Sequence, residues 1–167
     1  MRTEEIESVL VRLIPRKHKF LGVFAADEIP HVTTFPSCCV LNTDPSRLPG
    51  THWVAVYYCS RRSVEFFDSY GMHPTAYKLP IHPTIWNKLP LQSIRSSLCG
   101  QYCSYYLYHR ARGYSLHRIV RRFSPSQPLA NDCKVYRWFT SHAPLSLPHR
   151  RRTKSQKCCA KCNFHRK

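Results

Sequence analysis

Near the start of the chain the apolar positions Ile6, Val9, Leu10 and Leu13 recur at intervals of three and four, the spacing of one helical face. Thr3 stands where an N-cap belongs and Pro15 ends the run, so the pattern predicts a packing helix over 3–14. KFLGVFAADEIP follows, mixing aromatics with one glycine and closing in a turn at Pro30. Three short runs, SCCVLNT, HWVAVYY and SVEFFDS, are rich in β-branched and aromatic residues and are bounded by turn clusters such as DPSRLPG. They predict the strands of a sheet.

Between Gly71 and Leu91 four prolines break any period, which predicts an irregular surface connection with at most a short helix near TIWNKL. Helical spacing returns with Cys99, Cys103, Tyr106, Leu107 and Arg110, and Gly113 is the expected C-terminal stop. SLHRIVRRF and NDCKVYRWFTSH predict two more helices. The order of elements indicates an α+β fold, a small central mixed or antiparallel sheet packed with helices. At 167 residues and 43% hydrophobic the chain suits one core. Past Pro144 core formers give way to Pro, Ser, Lys, Arg and Cys, so 1–143 reads as one domain and 144–167 as a basic, Cys-rich, mobile tail. No internal repeat is visible.

Charge changes the picture. Residues 1–99 carry 11 Lys/Arg against 8 Asp/Glu, whereas 100–167 carry 15 against Asp132 alone, within a net charge of +17. Such a gradient fits a polyanion, nucleic acid above all, and it equally fits a solvated basic face. The first residues, MRTEEIESVLVRLIPRK, lack the basic-then-apolar order of a secretory signal, and no uncharged apolar run approaches the length of a bilayer span. These features predict an intracellular protein without membrane association. Nine cysteines, several adjacent, predict free thiols rather than a disulfide framework.

Cys99 opens a predicted helix, where the helix dipole favours a thiolate, and Gly100 keeps the backbone uncrowded where a substrate must approach. His52 opens the strand HWVAVYY, and sixteen residues later Asp68 closes the next strand. The short CSRRS turn predicts a hairpin with both at one end, so that Asp68 orients His52. Gln92 offers an amide donor which, with the Cys99 backbone N–H, suits a tetrahedral oxyanion. Taken singly, His52 reads as a structural histidine, Asp68 as a turn cap and Cys99 as a small buried hydrophobe. Their joint order is harder to obtain from packing alone. Cys103, one turn past Cys99, reads as a core thiol packed beside Leu107.

The runs GTHWVAVYY, EFFDSYG and LQSIRSSLCGQYCSYYL, with FLGVFAADEIP before them, closely resemble the adenovirus protease (adenain) family and its relatives in Polinton or Maverick elements. The wider clan includes the SUMO-deconjugating proteases. The resemblance spans roughly Phe20 to Phe139 and implies an adenain-like cysteine protease fold. It aligns His52, Asp68 and Cys99 with the family's catalytic triad, Gln92 with its oxyanion glutamine, and Trp53 with the tryptophan after the histidine. Gln92 stands seven residues before Cys99, the adenain-like interval rather than the six usual in SUMO proteases. Asp68 is the acid of the wider clan, where adenain itself has glutamate.

The resemblance also implies a thiol endopeptidase that cuts structural precursors after glycine during particle maturation. It would act as a monomer in the host nucleus and virion, with no metal in catalysis and with DNA as activator. Candidate DNA-binding residues are Arg118, Arg121, Arg122, Arg150, Arg151 and Arg152. Adenain binds its activating peptide through a cysteine between acid and glutamine; here none lies between Cys59 and Cys99, so a disulfide-linked peptide is not expected. The alternatives are a ubiquitin-like-modifier isopeptidase and a non-catalytic DNA-binding virion protein. In the tail, Cys158 or Cys159 with Cys162 and His165 has zinc-like spacing, with the adjacent cysteine or His149 as the fourth ligand, although a basic nucleic-acid or nuclear-entry tail accounts for the same stretch.

Overall fold

The computed structural model describes residues 1–143, so the tail beyond Ala143, with Arg150, Arg151, Arg152, His149 and the Cys158, Cys159, Cys162 and His165 cluster, lies outside the described residues. The elements in chain order are helix α1 (Thr3–Leu13), strands β1 (Lys19–Phe24), β2 (Ser37–Asn42), β3 (Trp53–Ser60) and β4 (Ser63–Phe67), a 3₁₀ turn (Pro74–Tyr77), strand β5 (Ile85–Trp86), and helices α2 (Cys99–Arg110), α3 (Leu116–Val120) and α4 (Pro128–His142). The strands form one sheet in sequential order. β2, β3 and β4 are antiparallel neighbours, while β1 and β5 join the two edges in parallel. The architecture is α+β with a mixed sheet.

The structure corrects two expectations, the first helix cap and the start of the last helix, and assigns two segments that the pattern left open. The helix cap is Arg2 rather than Thr3, and its backbone N–H donates to Glu5 Oε2 at 2.7 Å, so the first turn is closed by the glutamate. KFLGVF forms a strand: Gly22, at φ 129°, takes up the register shift that lets β1 follow β2. Near TIWNKL there is no helix but the two-residue strand β5, paired through Glu65 and Phe66. α4 begins three residues before the predicted start, because Pro128 is favourable in the first turn of a helix.

β2 and β3 are buried on both faces, and their side chains alternate between two cores. Cys38, Val40, Ala55, Tyr57 and Phe67 face the helices, packing with Ile6, Leu10, Tyr102, Tyr106, Leu107 and Ile119. Cys39, Leu41, Val54, Val56 and Phe66 face the other way, where Leu79, Ile81 and Phe35 cover them. Cys103 is fully buried beside Leu107, as its spacing predicts. The described cysteines Cys38, Cys39, Cys59, Cys99, Cys103 and Cys133 are free thiols. No helix among the described residues is long and apolar enough to cross a membrane.

One ion pair ties α2 to the sheet. Glu65 on β4 accepts from Arg110 Nε at 2.7 Å, Arg110 Nη2 at 3.1 Å and Tyr106 Oη at 2.7 Å, and the Arg110 guanidinium stacks on Tyr57. Removing one partner strands a buried charge, whereas removing both does not. Arg110→Met should therefore cost roughly 3 kcal/mol, and the Glu65→Gln/Arg110→Met double variant clearly less than the sum of the singles, as read from urea unfolding.

Candidate active site

Antiparallel pairing of Ala55 with Phe67 puts the start of β3 and the end of β4 side by side. His52 immediately precedes β3 and Asp68 immediately follows β4, so both lie at the same end of the hairpin, and His52 Nε2 meets Asp68 Oδ1 at 2.7 Å. The imidazole contacts two tyrosine rings, stacked on Tyr70 at 4.8 Å between centroids and tilted against Tyr77 at 5.6 Å. With Nε2 committed to Asp68, Nδ1 is the nitrogen left for the hydrogen bond that His52 makes with Cys99.

Cys99 is the first residue of α2 and is buried. Burial opposes its thiolate, yet the His52 hydrogen bond, the imidazolium charge and backbone hydrogen bonds from Trp53 and Gly100 outweigh it and lower the thiol pKa below its ordinary value. Burial likewise opposes protonation of His52, but the hydrogen bonds to Asp68 and Cys99 and the charges on both push the imidazole up to about 9. Each group therefore favours the charged form of the other. Cys103, by contrast, is held far above the ordinary thiol range by burial and by the neighbouring Cys99 and Asp68 charges. Its Sγ–H donates to the Trp53 carbonyl at 3.3 Å, which fastens α2 to β3 beside His52.

Gly100 has a different reason from the one expected. A Cβ there would meet Met1 Sδ at 2.6 Å and Ile6 Cδ1 at 2.9 Å, so the space is taken by α1 rather than left for a substrate. The glycine lets two helices touch at the residue after Cys99.

Asp68 is fully buried and saturated. Besides His52, its carboxylate accepts from the Tyr70 N–H (3.0 Å), the Met72 N–H (2.9 Å) and Tyr77 Oη (2.9 Å). Asn87 holds the Asp68 backbone from both sides, its Oδ1 accepting from the Asp68 N–H at 2.8 Å and its Nδ2 donating to the Asp68 carbonyl. The Ser69 carbonyl then accepts from the Leu91 and Gln92 N–H groups, and Ser69 Oγ donates to Gln92 Oε1 at 2.7 Å. Gln92 Nε2 donates to the Ser96 carbonyl at 2.9 Å and to Tyr70 Oη at 3.4 Å. From the other side α4 and α2 grip the same loop. Asn131 Nδ2 donates to the Leu91 carbonyl, the single Tyr102 hydroxyl proton on α2 is shared between Asp132 Oδ1 at 2.9 Å and the Leu91 carbonyl at 3.2 Å, and Asp132 Oδ1 also accepts from the Ser93 N–H at 3.4 Å.

His52, Asp68, Cys99, Gln92 and Trp53 thus converge. Arg118, Arg121 and Arg122 do not join them: they lie on and just after α3, beyond the far end of α2, which at 1.5 Å per residue is roughly 16 Å from Cys99. That end is a basic aromatic face. Arg118 and Arg122 lie over the Tyr114 ring, Arg112 stacks on Tyr108 at 3.5 Å, and Lys134 Nζ donates to the Arg122 carbonyl. His109 in its midst is pushed down to about 4 by burial and then by Arg122, Arg112, His142 and Lys134. Among the described residues no group of three or more His, Cys, Asp or Glu side chains is placed to hold a metal ion.

Sequence reasoning missed Ser69, Tyr70, Tyr77, Asn87, Asn131 and Asp132. Tyr70 was within reach because DSYG adjoins Asp68, but Asn87 and Asn131 carry no local signal, their partners lying 19 and 40 residues away.

No protein-family model matches the chain. It is similar to the cysteine protease of African swine fever virus, with 37% identity over 92 aligned residues, 44% of this chain and 33% of the relative. The chain thus matches about a third of that relative's length. A crystal structure of the selenomethionine form of the African swine fever virus protease aligns with a TM-score of 0.44 and 26% identity, over 66% of this chain and 44% of that one.

The coupled shifts have a sign. His52, raised from 6.5 to about 9, contributes its full stabilisation below pH 6.5 and loses it as pH rises through about 9. The melting temperature of the wild type relative to His52→Gln should therefore fall across that interval. Asp68→Asn should move the onset of Cys99 alkylation by iodoacetamide toward the pH of an ordinary thiol, as followed by mass spectrometry across pH 5–10.

Proposed function

We propose that this protein is a cysteine endopeptidase that cuts protein precursors after glycine. The observation that carries the reading is the convergence of a lowered Cys99 thiol, a raised His52 imidazole and a saturated Asp68 carboxylate beside the Gln92 amide. Similarity to a viral cysteine protease supports the same chemistry over part of the chain.

In this mechanism the Cys99 thiolate, already paired with the His52 imidazolium, attacks the carbonyl carbon of the scissile glycine. The Cys99 N–H and the Gln92 amide stabilise the oxyanion. His52 gives its proton to the leaving amine, and then takes one from the water that attacks the thioester and releases the acid. Asp68 orients the ring and stabilises its charge without taking the proton. No step calls for a metal. The substrates are structural precursors of a virus or virus-like element, cut at sites with an aliphatic residue upstream of Gly-Gly or Gly-X during particle maturation, in the nucleus and the virion.

The basic aromatic face beyond α2 is the surface for DNA, which regulates the enzyme from a distance rather than touching the reacting atoms. Arg118 and Arg121 are exposed, and no carboxylate pairs with either among the described residues.

The test is turnover of a Leu-Arg-Gly-Gly fluorogenic peptide by the full chain in reducing buffer, with and without duplex DNA. Cys99→Ala should abolish it, and Gln92→Ala should lower kcat by roughly 100- to 1,000-fold. A Cys99→Ala protein with undiminished turnover would refute the mechanism. DNA affinity should fall with salt, and Arg118→Ala/Arg121→Ala should make the slope of log affinity against log salt shallower by about 2. Salt-independent binding would remove DNA from the account.

A further inference from the structure

The proposed mechanism leaves one polar group beside the nucleophile without a task. Tyr70 is fixed at both ends: its backbone N–H donates to Asp68 Oδ1 at 3.0 Å, and its ring stacks on His52 with an interplanar angle of 27°. The hydroxyl reaches Gln92, accepting from Nε2 at 3.4 Å. The rest of that carboxamide is engaged, with Oε1 accepting from Ser69 and the other amide proton given to the Ser96 carbonyl. The amide proton available for an oxyanion is therefore the one that faces Tyr70. That contact is long, near the outer limit of a hydrogen bond, and is correspondingly cheap to exchange.

The Tyr70 hydroxyl itself donates to no group among the described residues. A half-buried phenol with an unspent proton, seated between the base and the oxyanion amide, is a donor waiting for an acceptor. Burial, and then the Cys99, Asp68 and Asp132 charges, raise its pKa, which favours the phenol over the phenolate.

We propose that the Tyr70 hydroxyl is a second side-chain donor to the oxyanion, acting beside Gln92 and the Cys99 N–H. This deepens the protease reading and rests on it. In the resting site the Tyr70 oxygen accepts the Gln92 amide proton while its own proton is unspent. When the carbonyl oxygen gains charge it takes both donors, replacing one long neutral contact with two charge-assisted hydrogen bonds. The phenolic proton stays on its own oxygen throughout: only the C–S bond forms as the carbonyl π bond opens, and the reverse electron movement expels the amine that His52 has protonated. Such a donor is stronger toward the transition state than toward the neutral carbonyl, which is the requirement for raising kcat.

Tyr70→Phe keeps the ring on His52 and removes the hydroxyl alone. Two readouts on the full-length chain separate its roles. Iodoacetamide labelling of Cys99 at pH 7 reports the thiolate pair and develops no carbonyl oxyanion. Turnover of the Leu-Arg-Gly-Gly peptide does. Protection of Cys99 from labelling by a peptide ending in glycine aldehyde, whose thiol adduct carries the former carbonyl oxygen, gives the same reading without turnover.

The inference requires that Tyr70→Phe lower kcat by at least about tenfold and weaken aldehyde protection by a similar factor, while KM and labelling hold. Unchanged kcat and protection would overturn it. So would a rise in kcat, which would make Tyr70 a plug over the amide, and so would a parallel fall in labelling, which would confine it to support of His52. Wild-type protein showing no Cys99-selective labelling and no aldehyde protection would instead sink the protease reading beneath it.

Discussion

A carboxylate with no solvent access must find hydrogen-bond donors inside the protein, and Asp68 finds four. Most of the site follows from that need. The Tyr70 and Met72 N–H groups can both reach the carboxylate only if the chain turns sharply after β4. Gly71 permits this at φ 75°, where a Cβ would meet the Leu89 backbone at 2.7 Å. The Tyr77 hydroxyl draws in the 3₁₀ turn, and Asn87, just past β5, secures the Asp68 backbone. What remains of the carboxylate's demand is met by His52. The residue that holds the His52 imidazole is thus also the residue around which three loops fold.

Charge in the site is shared rather than isolated. Burial disfavours the imidazolium and the thiolate separately, and each is recovered through the other, with Asp68 behind the imidazole and the Trp53 and Gly100 amides at the sulfur. This arrangement depends on α2 meeting the sheet at a fixed height. Cys103 bonded to the Trp53 carbonyl sets it at one end and the Glu65–Arg110–Tyr106 cluster at the other. The same helix separates two electrostatic regimes, a buried and locally balanced one at Cys99 and an uncompensated cationic one around His109 and Tyr114. Coupling between them would travel through α2 and the α4 residues that hold the Gln92 loop.

Periodicity identified the central hairpin, β2, α1 and α2, because those elements bury continuous apolar faces and their residues say so locally. The edge strands escaped it. β1 is interrupted by Gly22, and β5 has two residues whose partner Glu65 lies twenty positions earlier. The reading of Gly100 failed for a related reason: a glycine after a nucleophile suggests substrate access, and only the position of α1 reveals that helix packing claims the space.

The sequence by itself singled out His52, Asp68, Cys99 and Gln92 as candidates and determined which two of them share an end, since an antiparallel hairpin with a short turn leaves His52 and Asp68 no other arrangement. Tertiary structure alone decided what holds them. Asn87, Asn131 and Asp132 act through hydrogen bonds spanning 19 to 40 residues, and such bonds leave no periodic trace. The direction of the Gln92 amide and the proximity of the Tyr70 hydroxyl were decided the same way. A buried polar group takes whichever partner the folded chain brings within about 3 Å, and chain order does not specify that partner.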